Sequence, residues 1–315
     1  MATLIETIVA VRAACDDARA AGKTVGLVPT MGFLHEGHRS LMRHARAETD
    51  FVVVSIFVNP TQFGPNEDLA RYPRDLEGDL AACREEGVDA VFVPSVAEMY
   101  PTGAATTVHV DGVTEGLCGD HRPGHFDGVT TIVAKLFAIT GPCHAYFGRK
   151  DAQQLAVVTR MAADLDLPVA VVGCPLVREA DGLARSSRNA YLSEADRRAA
   201  PILFQALRAA AGTVVAGERD PRRVVASVRE VVASEPAVEL EYVEVRDAAT
   251  IAPIARLDGS VLLALAARVG ATRLIDNVGI TIRGSHVDVD LGSTPPGRDH
   301  DPVVASRSRR SLGAS

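Results

Sequence analysis

Up to about residue 175 the chain alternates short apolar, β-branched runs with longer amphipathic ones. The short runs, at Thr24–Val28, Phe51–Phe57, Ala90–Val93, Ala145–Phe147 and Val169–Val172, are apolar on consecutive positions. A strand covered on both faces has that pattern. Between them Ile5–Ala21, His38–Glu48, Leu76–Glu86, His125–Ile139 and Ala152–Leu165 repeat their apolar positions at helical spacing. Alternation of this kind predicts βαβ units and an α/β fold with a Rossmann-like, doubly wound parallel sheet, whose ligands bind beyond the carboxyl ends of the strands. After Arg188 the order changes. Two Ala/Val-rich helical stretches, Glu194–Ala216 and Pro221–Ser234, precede strand-like Glu241–Val245, Ser260–Ala267 and Arg273–Asn277, the layout of a smaller C-terminal α+β domain. The expected division is residues 1–177, residues 178–283, and a disordered tail over 284–315. A polar linker, Pro175–Ser193, joins the two domains and carries Arg178, Arg185 and Arg188.

Composition narrows the function. With 47% hydrophobic residues the 315-residue chain can bury a large core. A net charge of −7, 4% aromatic content and no Trp argue against a sequence-independent grip on nucleic acid. No apolar run reaches the roughly 18 residues a membrane helix needs, and the amino end lacks the pattern of a signal peptide. The five dispersed cysteines form no C-x-x-C pair, which suits reduced thiols in a cytoplasmic protein.

The candidate chemistry starts at His35-Glu36-Gly37-His38, after the first predicted strand and a turn at Pro29 and Gly32. A helix beginning there leaves backbone N–H groups unpaired at the positive end of its dipole, an edge suited to phosphate. His35 and His38, spaced i to i+3, can face the same way and donate to phosphate oxygens, and Gly37 lets backbone come close. The spacing disfavours a metalloprotease-type zinc pair, which needs i to i+4. By themselves the two histidines are equally well read as plain helix-start residues. No G-x-G-x-x-G follows the first strand and no Walker-type loop occurs, so nucleotide binding needs another arrangement. Gly148-Arg149-Lys150-Asp151 again places Gly and Lys between a strand and a helix, and Arg185-Ser186-Ser187-Arg188-Asn189 offers hydroxyls and a guanidinium on a polar loop.

The HxGH pattern together with that serine-rich basic loop resembles the nucleotidylyltransferase superfamily. Longer strings narrow the resemblance to the pantothenate synthetase family, the pantoate–β-alanine ligases. They are Val28-Pro29-Thr30-Met31-Gly32, Phe57-Val58-Asn59-Pro60-Thr61-Gln62-Phe63-Gly64, Tyr72-Pro73-Arg74, His125-Phe126-Asp127-Gly128-Val129, Gln153-Gln154-Leu155 and Arg178-Glu179-Ala180-Asp181-Gly182-Leu183, in order over about residues 4 to 282. The resemblance implies ATP-dependent condensation of pantoate with β-alanine through a pantoyl adenylate, magnesium accompanying ATP, and a homodimer. It implies catalytic roles for His35, His38, Lys150, Ser186, Ser187 and Arg188, with His38 as proton donor. ATP contacts are implied at Met31, Gly32, Phe33, Leu34, His35, Glu36, Gly37, His38, Gly148, Arg149, Lys150, Asp151, Val177, Arg185, Ser186, Ser187 and Arg188. Gln62 and Gln154 would hold pantoate, Gln62 would also meet β-alanine, and Asp79 is a candidate metal contributor. Arg149, Ala152 and Arg185 depart from the family pattern, and the two arginines are expected to add positive charge beside the triphosphate. The alternatives are a non-catalytic nucleotide- or pantoate-binding paralog, or a ligase that adenylates a different small hydroxy acid.

Overall fold

The structure, a computed structural model, describes residues 2–65 and 67–294. Six parallel strands form the first sheet: β1 Thr3–Ile5, β2 Val25–Thr30, β3 Phe51–Ile56, β4 Ala90–Phe92, β5 Cys143–Gly148 and β6 Val169–Cys174, in the order β1-β4-β3-β2-β5-β6. This is the doubly wound α/β fold the hydrophobic pattern predicts. Helices cover both faces, so Val52, Val53 and Val54 are all fully buried, and each face has its own apolar cluster. The strand order reverses between β2 and β5, and a crevice opens at their carboxyl ends.

Four further strands form an antiparallel sheet in the order β10-β9-β8-β7: β7 Val238–Asp247, β8 Gly259–Val269, β9 Thr272–Arg283 and β10 His286–Asp290. Helices Ile202–Val215 and Pro221–Val232 pack on one face of it. The other face meets the first domain. Along β8, Leu263, Leu265 and Ala267 enter the helix-covered cluster, while Leu262, Ala264 and Ala266 enter the cluster shared with the first sheet. A strand with a core on each side has no polar face, which explains its continuous apolar run.

Several boundaries differ from the sequence reading. The first helix begins at Ile8, capped by Thr7, because Thr3–Ile5 pairs in parallel with β4 as a three-residue edge strand. Pro29 does not break β2. Pairing to β5 is confined to Gly26 and Leu27, so beyond that point β2 is bonded only to β3, a position that tolerates a residue without an N–H. Pro201 splits the predicted Glu194–Ala216 helix into Glu194–Ala199 and Ile202–Val215. The expected tail is corrected over its first part. His286–Asp290 is a strand antiparallel to β9, and Ser293 bridges to Val177. The rest of that expectation, from residue 295 on, lies outside the described residues.

Candidate active site

The loop between β2 and the helix Glu36–Glu48 turns through Gly32 at φ +82° and Phe33 at φ +50°. Asp79, buried at 3% exposure, steadies this turn from below: its Oδ2 accepts the Phe33 N–H at 2.9 Å and its Oδ1 the Leu34 N–H at 2.6 Å. Its carboxylate is thereby committed to the loop and is not on the wall of the cavity described below, so the expected metal contact becomes a bracing role.

The two histidines cap the helix that follows. His35 Nδ1 accepts the Gly37 N–H at 3.1 Å, and His38 Nδ1 accepts the His35 N–H at 3.3 Å. Burial pushes the His38 imidazole down to about 4 and, with His38 and Lys150 nearby, the His35 imidazole down to about 2. Both rings are therefore neutral at pH 7. A ring whose Nδ1 accepts carries its proton on Nε2, so each offers a ligand one neutral N–H. The plain helix-start reading accounts for the Nδ1 atoms, which cap the helix, and leaves the Nε2 atoms of both rings without a hydrogen bond among the described residues.

These histidines line a cavity of about 220 Å³. Around it stand Met31 and Gly37, then Gln62, Gly148, Lys150, Asp151 and Gln154, then Val177 and Arg185–Arg188. Lys150, Asp151, Gln154, Ser186 and Arg188 are shared with a second cavity of about 690 Å³ between the first domain and the antiparallel sheet. The polar loop is drawn onto the histidine loop by the Ser187 hydroxyl, which donates to the Phe33 carbonyl at 3.3 Å. Arg188 donates twice to Asp68, at 2.8 and 3.0 Å.

Other expected contacts are not gathered here. Gly32, Phe33, Leu34 and Glu36 shape the loop without reaching the wall, and Glu36 pairs with Arg43 along the helix. Arg149 points away to Asp290 on β10 at 3.0 Å, so its charge does not reach the cavity wall. Arg185 does reach the cavity, but it pairs with Glu179 at 2.9 Å, which offsets much of the extra charge.

Long-range partners escaped the sequence reading. Asn277 on β9 donates to the Arg149 and Lys150 carbonyls at 3.0 and 2.8 Å, clipping the lysine turn to the second sheet. Next to it, Asp276 and Arg178 form an ion pair at 2.7 Å with both side chains 2% exposed. His125 Nδ1 donates to the Gln62 carbonyl at 2.9 Å, while its Nε2 takes an Arg122 N–H at 2.9 Å. Burial lowers His125 to about 4 as well. Gly128 permits this packing, since a Cβ there would lie 2.4 Å from the Thr61 carbonyl oxygen.

A pH response follows from these three imidazoles. The unfolded chain begins to bind protons near pH 6.5, whereas folded His38 and His125 resist until about 4 and His35 until about 2. Between 6.5 and 4 the unfolded state holds more protons, so stability is full above that window and declines as pH falls through it. Each histidine adds a slope of about 1.4 kcal/mol per pH unit. Denaturant midpoints should drop clearly between pH 7 and pH 5, and replacing His125 with Gln should flatten the slope.

Among the described residues no three His, Cys, Asp or Glu gather to hold a metal, all five cysteines are free and buried, and no helix is long and apolar enough to cross a membrane.

Comparison with known proteins places this geometry. The profile described as pantoate-beta-alanine ligase matches residues 3–279. The chain is 56% identical over 274 residues to the pantothenate synthetase of Syntrophotalea carbinolica, covering 87% of this chain and 97% of the relative. It is 55% identical to that of Moorella thermoacetica over 275 residues, with the same coverage of both. Among solved structures, pantothenate synthetase from Thermus thermophilus superposes with a TM-score of 0.83 at 46% identity, covering 87% of this chain and 98% of that one. The pantoate-beta-alanine ligase of Francisella tularensis, complexed with beta-gamma ATP and beta-alanine, gives 0.72 at 32% identity, covering 88% and 97%.

Proposed function

The chain belongs to the pantoate-beta-alanine ligase family, and from that premise we propose how its cleft divides the work of the reaction. The enzyme is a ligase. ATP and pantoate give pantoyl adenylate with release of pyrophosphate, and the β-alanine amine then attacks the acyl carbon, forming the amide as the bond to AMP breaks.

The first step develops charge on the α-phosphate and on departing pyrophosphate, so positioned donors matter more than a covalent nucleophile. Lys150, His35 and His38 meet that charge at the switch point. Because the imidazoles are neutral donors, they add less to ground-state ATP than cations would, and their hydrogen bonds strengthen as charge builds. His38, held through Nδ1, supplies its Nε2–H. Ser186, Ser187 and Arg188 cover the phosphates from the linker. Arg188 then shares itself between Asp68 and phosphate or leaves the carboxylate. Met31, Gly148, Asp151, Val177 and Arg185 flank the nucleotide. Gln62 and Gln154 hold pantoate, and Gln62 also meets β-alanine.

Magnesium would fit this donor set as an ion carried mainly by phosphate oxygens, since among the described residues no three His, Cys, Asp or Glu gather to hold it. Asp151 is the wall carboxylate beside Lys150 that would steady it, and the ion would neutralise phosphate charge. Free, buried cysteines suit a reducing cytoplasm, and a homodimer is the assembly this family reading expects.

The observation that carries the proposal is the pair of neutral histidines whose only free N–H groups are on Nε2. Its test is pantoate-dependent exchange of pyrophosphate into ATP, followed by AMP and pantothenate on adding β-alanine. Equimolar AMP and pantothenate are expected. Calorimetric binding of ATP and pantoate without exchange would instead favour a binding paralog, and exchange with another hydroxy acid alone would change the substrate.

A further inference from the structure

The orientation of the Gln62 amide is set by Asn59, beside it on the cavity wall, and by Gly128, Thr61 and Tyr100 behind that wall. The Gly128 carbonyl oxygen can only accept, and one end of the Asn59 amide lies 3.0 Å from it. That end is therefore NH2, and the opposite end is oxygen. Two hydroxyls donate to this oxygen: Tyr100 at 2.8 Å and Thr61 at 3.0 Å. The Asn59 NH2 also donates to Gln62 at 3.2 Å, so the end of Gln62 that faces it is Oε1. The Gln62 NH2 must then point the other way, toward the Met31 sulfur at 3.0 Å on the cavity wall. Sulfur accepts weakly, so this N–H pair is the polar group left for a ligand. Asn59 is 1% exposed, and water is poorly placed to rescue a flipped amide there.

We propose that Tyr100 is a positioning residue for pantoate: its hydroxyl, donated to Asn59 beside that of Thr61 and opposite the Gly128 carbonyl, strengthens the hold on the Asn59–Gln62 amide pair in the polarity that presents N–H, and not C=O, to the hydroxy acid. The inference rests on the reading that Gln62 holds pantoate. It adds that the pantoate atom meeting Gln62 is an acceptor, a carboxylate or hydroxyl oxygen. Tyr100 is itself well anchored. It follows the short helix Val96–Met99, which Ser95 caps, and Glu98 of that helix accepts the Ile8 N–H at 2.7 Å. Its ring packs 6.3 Å from Phe57, with the Lys135 ammonium 5.8 Å from its centroid. Tyr100 does not line the cavity; its hydroxyl meets Asn59 and, at 3.2 Å, the Thr61 hydroxyl.

The test is a double-mutant cycle with Tyr100→Phe and Gln62→Ala, read as KM for D-pantoate, KM for ATP and kcat. Tyr100→Phe should raise KM for pantoate roughly 5- to 10-fold, the worth of one neutral hydrogen bond. KM for ATP and kcat should stay within about twofold. In the Gln62→Ala background the same change should add almost nothing, because the group it orients is gone. A merely structural Tyr100 would give additive effects, or would move all three constants, and either result overturns the inference. An unchanged pantoate KM in Tyr100→Phe, with a raised one in Gln62→Ala, overturns the inference alone. An unchanged KM in Gln62→Ala overturns the reading of Gln62 itself, and the inference with it.

Discussion

Replacing His38 with alanine lowers the rate of AMP formation by roughly 100-fold or more, since donors placed at developing phosphate charge contribute that much. Two losses combine in this variant. The Nε2–H facing the cavity disappears, and so does the Nδ1 acceptor that receives the His35 N–H. His38→Gln separates them. A glutamine at the third helical position can reach back to the N-cap amide, as in a capping box, and still present an amide N–H. It should recover part of the loss, about tenfold over alanine. Alanine and parent enzymes of equal rate would remove His38 from the mechanism. A loss in alanine that glutamine does not relieve would point to the imidazole itself, acting as the acid.

The second large effect is on stability. Asp276→Ala should destabilise the fold by roughly 3–5 kcal/mol, because it leaves the Arg178 guanidinium charged and buried without its carboxylate. Arg178 also donates to the Gly182 and Asn277 carbonyls, at 3.0 and 3.1 Å, and lies 4.0 Å over the Phe204 ring. It cannot swing out to solvent without breaking all of these. At about 2–4 °C per kcal/mol for a chain this long, the melting midpoint should fall by roughly 6–20 °C. Arg178→Met with Asp276→Leu removes both charges and should recover a good part of the loss. Recovery stops short of complete because the Gly182 and Asn277 carbonyls lose their donor. A midpoint within about 2 °C of the parent in Asp276→Ala would mean that the pair carries little of the fold's stability.

What could be read in the sequence was local. The β2 run, the turn at Gly32 and the helix bearing His35 and His38 lie within one short stretch, so periodicity and capping chemistry could locate the strand, the turn and the helix start that carry them. Gln153 and Gln154 could be separated by the family motif alone. The structure gives a reason for the difference: the Gln153 amide is used up on the Val113, Glu115 and Gly116 carbonyls and the Cys118 N–H, whereas Gln154 lines both cavities. One local signal competes with its surroundings. His286-Val287-Asp288-Val289-Asp290 alternates at period two, the mark of a strand with one covered face, but the Pro- and Ser-rich sequence after it carries the opposite signal. The destinations of Arg149 and Asp79 had no local signature. Asn277, Tyr100 and Asp68 become neighbours of the cleft, and Asp290 the partner of Arg149, only through tertiary pairing, and no short-range pattern encodes that.

The dual membership of β8 bears on how the chain comes apart. Its alternate side chains close two separate apolar clusters, so peeling the antiparallel sheet away from the parallel-sheet half would strip Leu262, Ala264 and Ala266 of their cover. Neither half can melt by itself without opening the core of the other. Heat should therefore take the protein apart in a single calorimetric peak, and cutting the chain in the linker should not release a self-sufficient amino-terminal fragment.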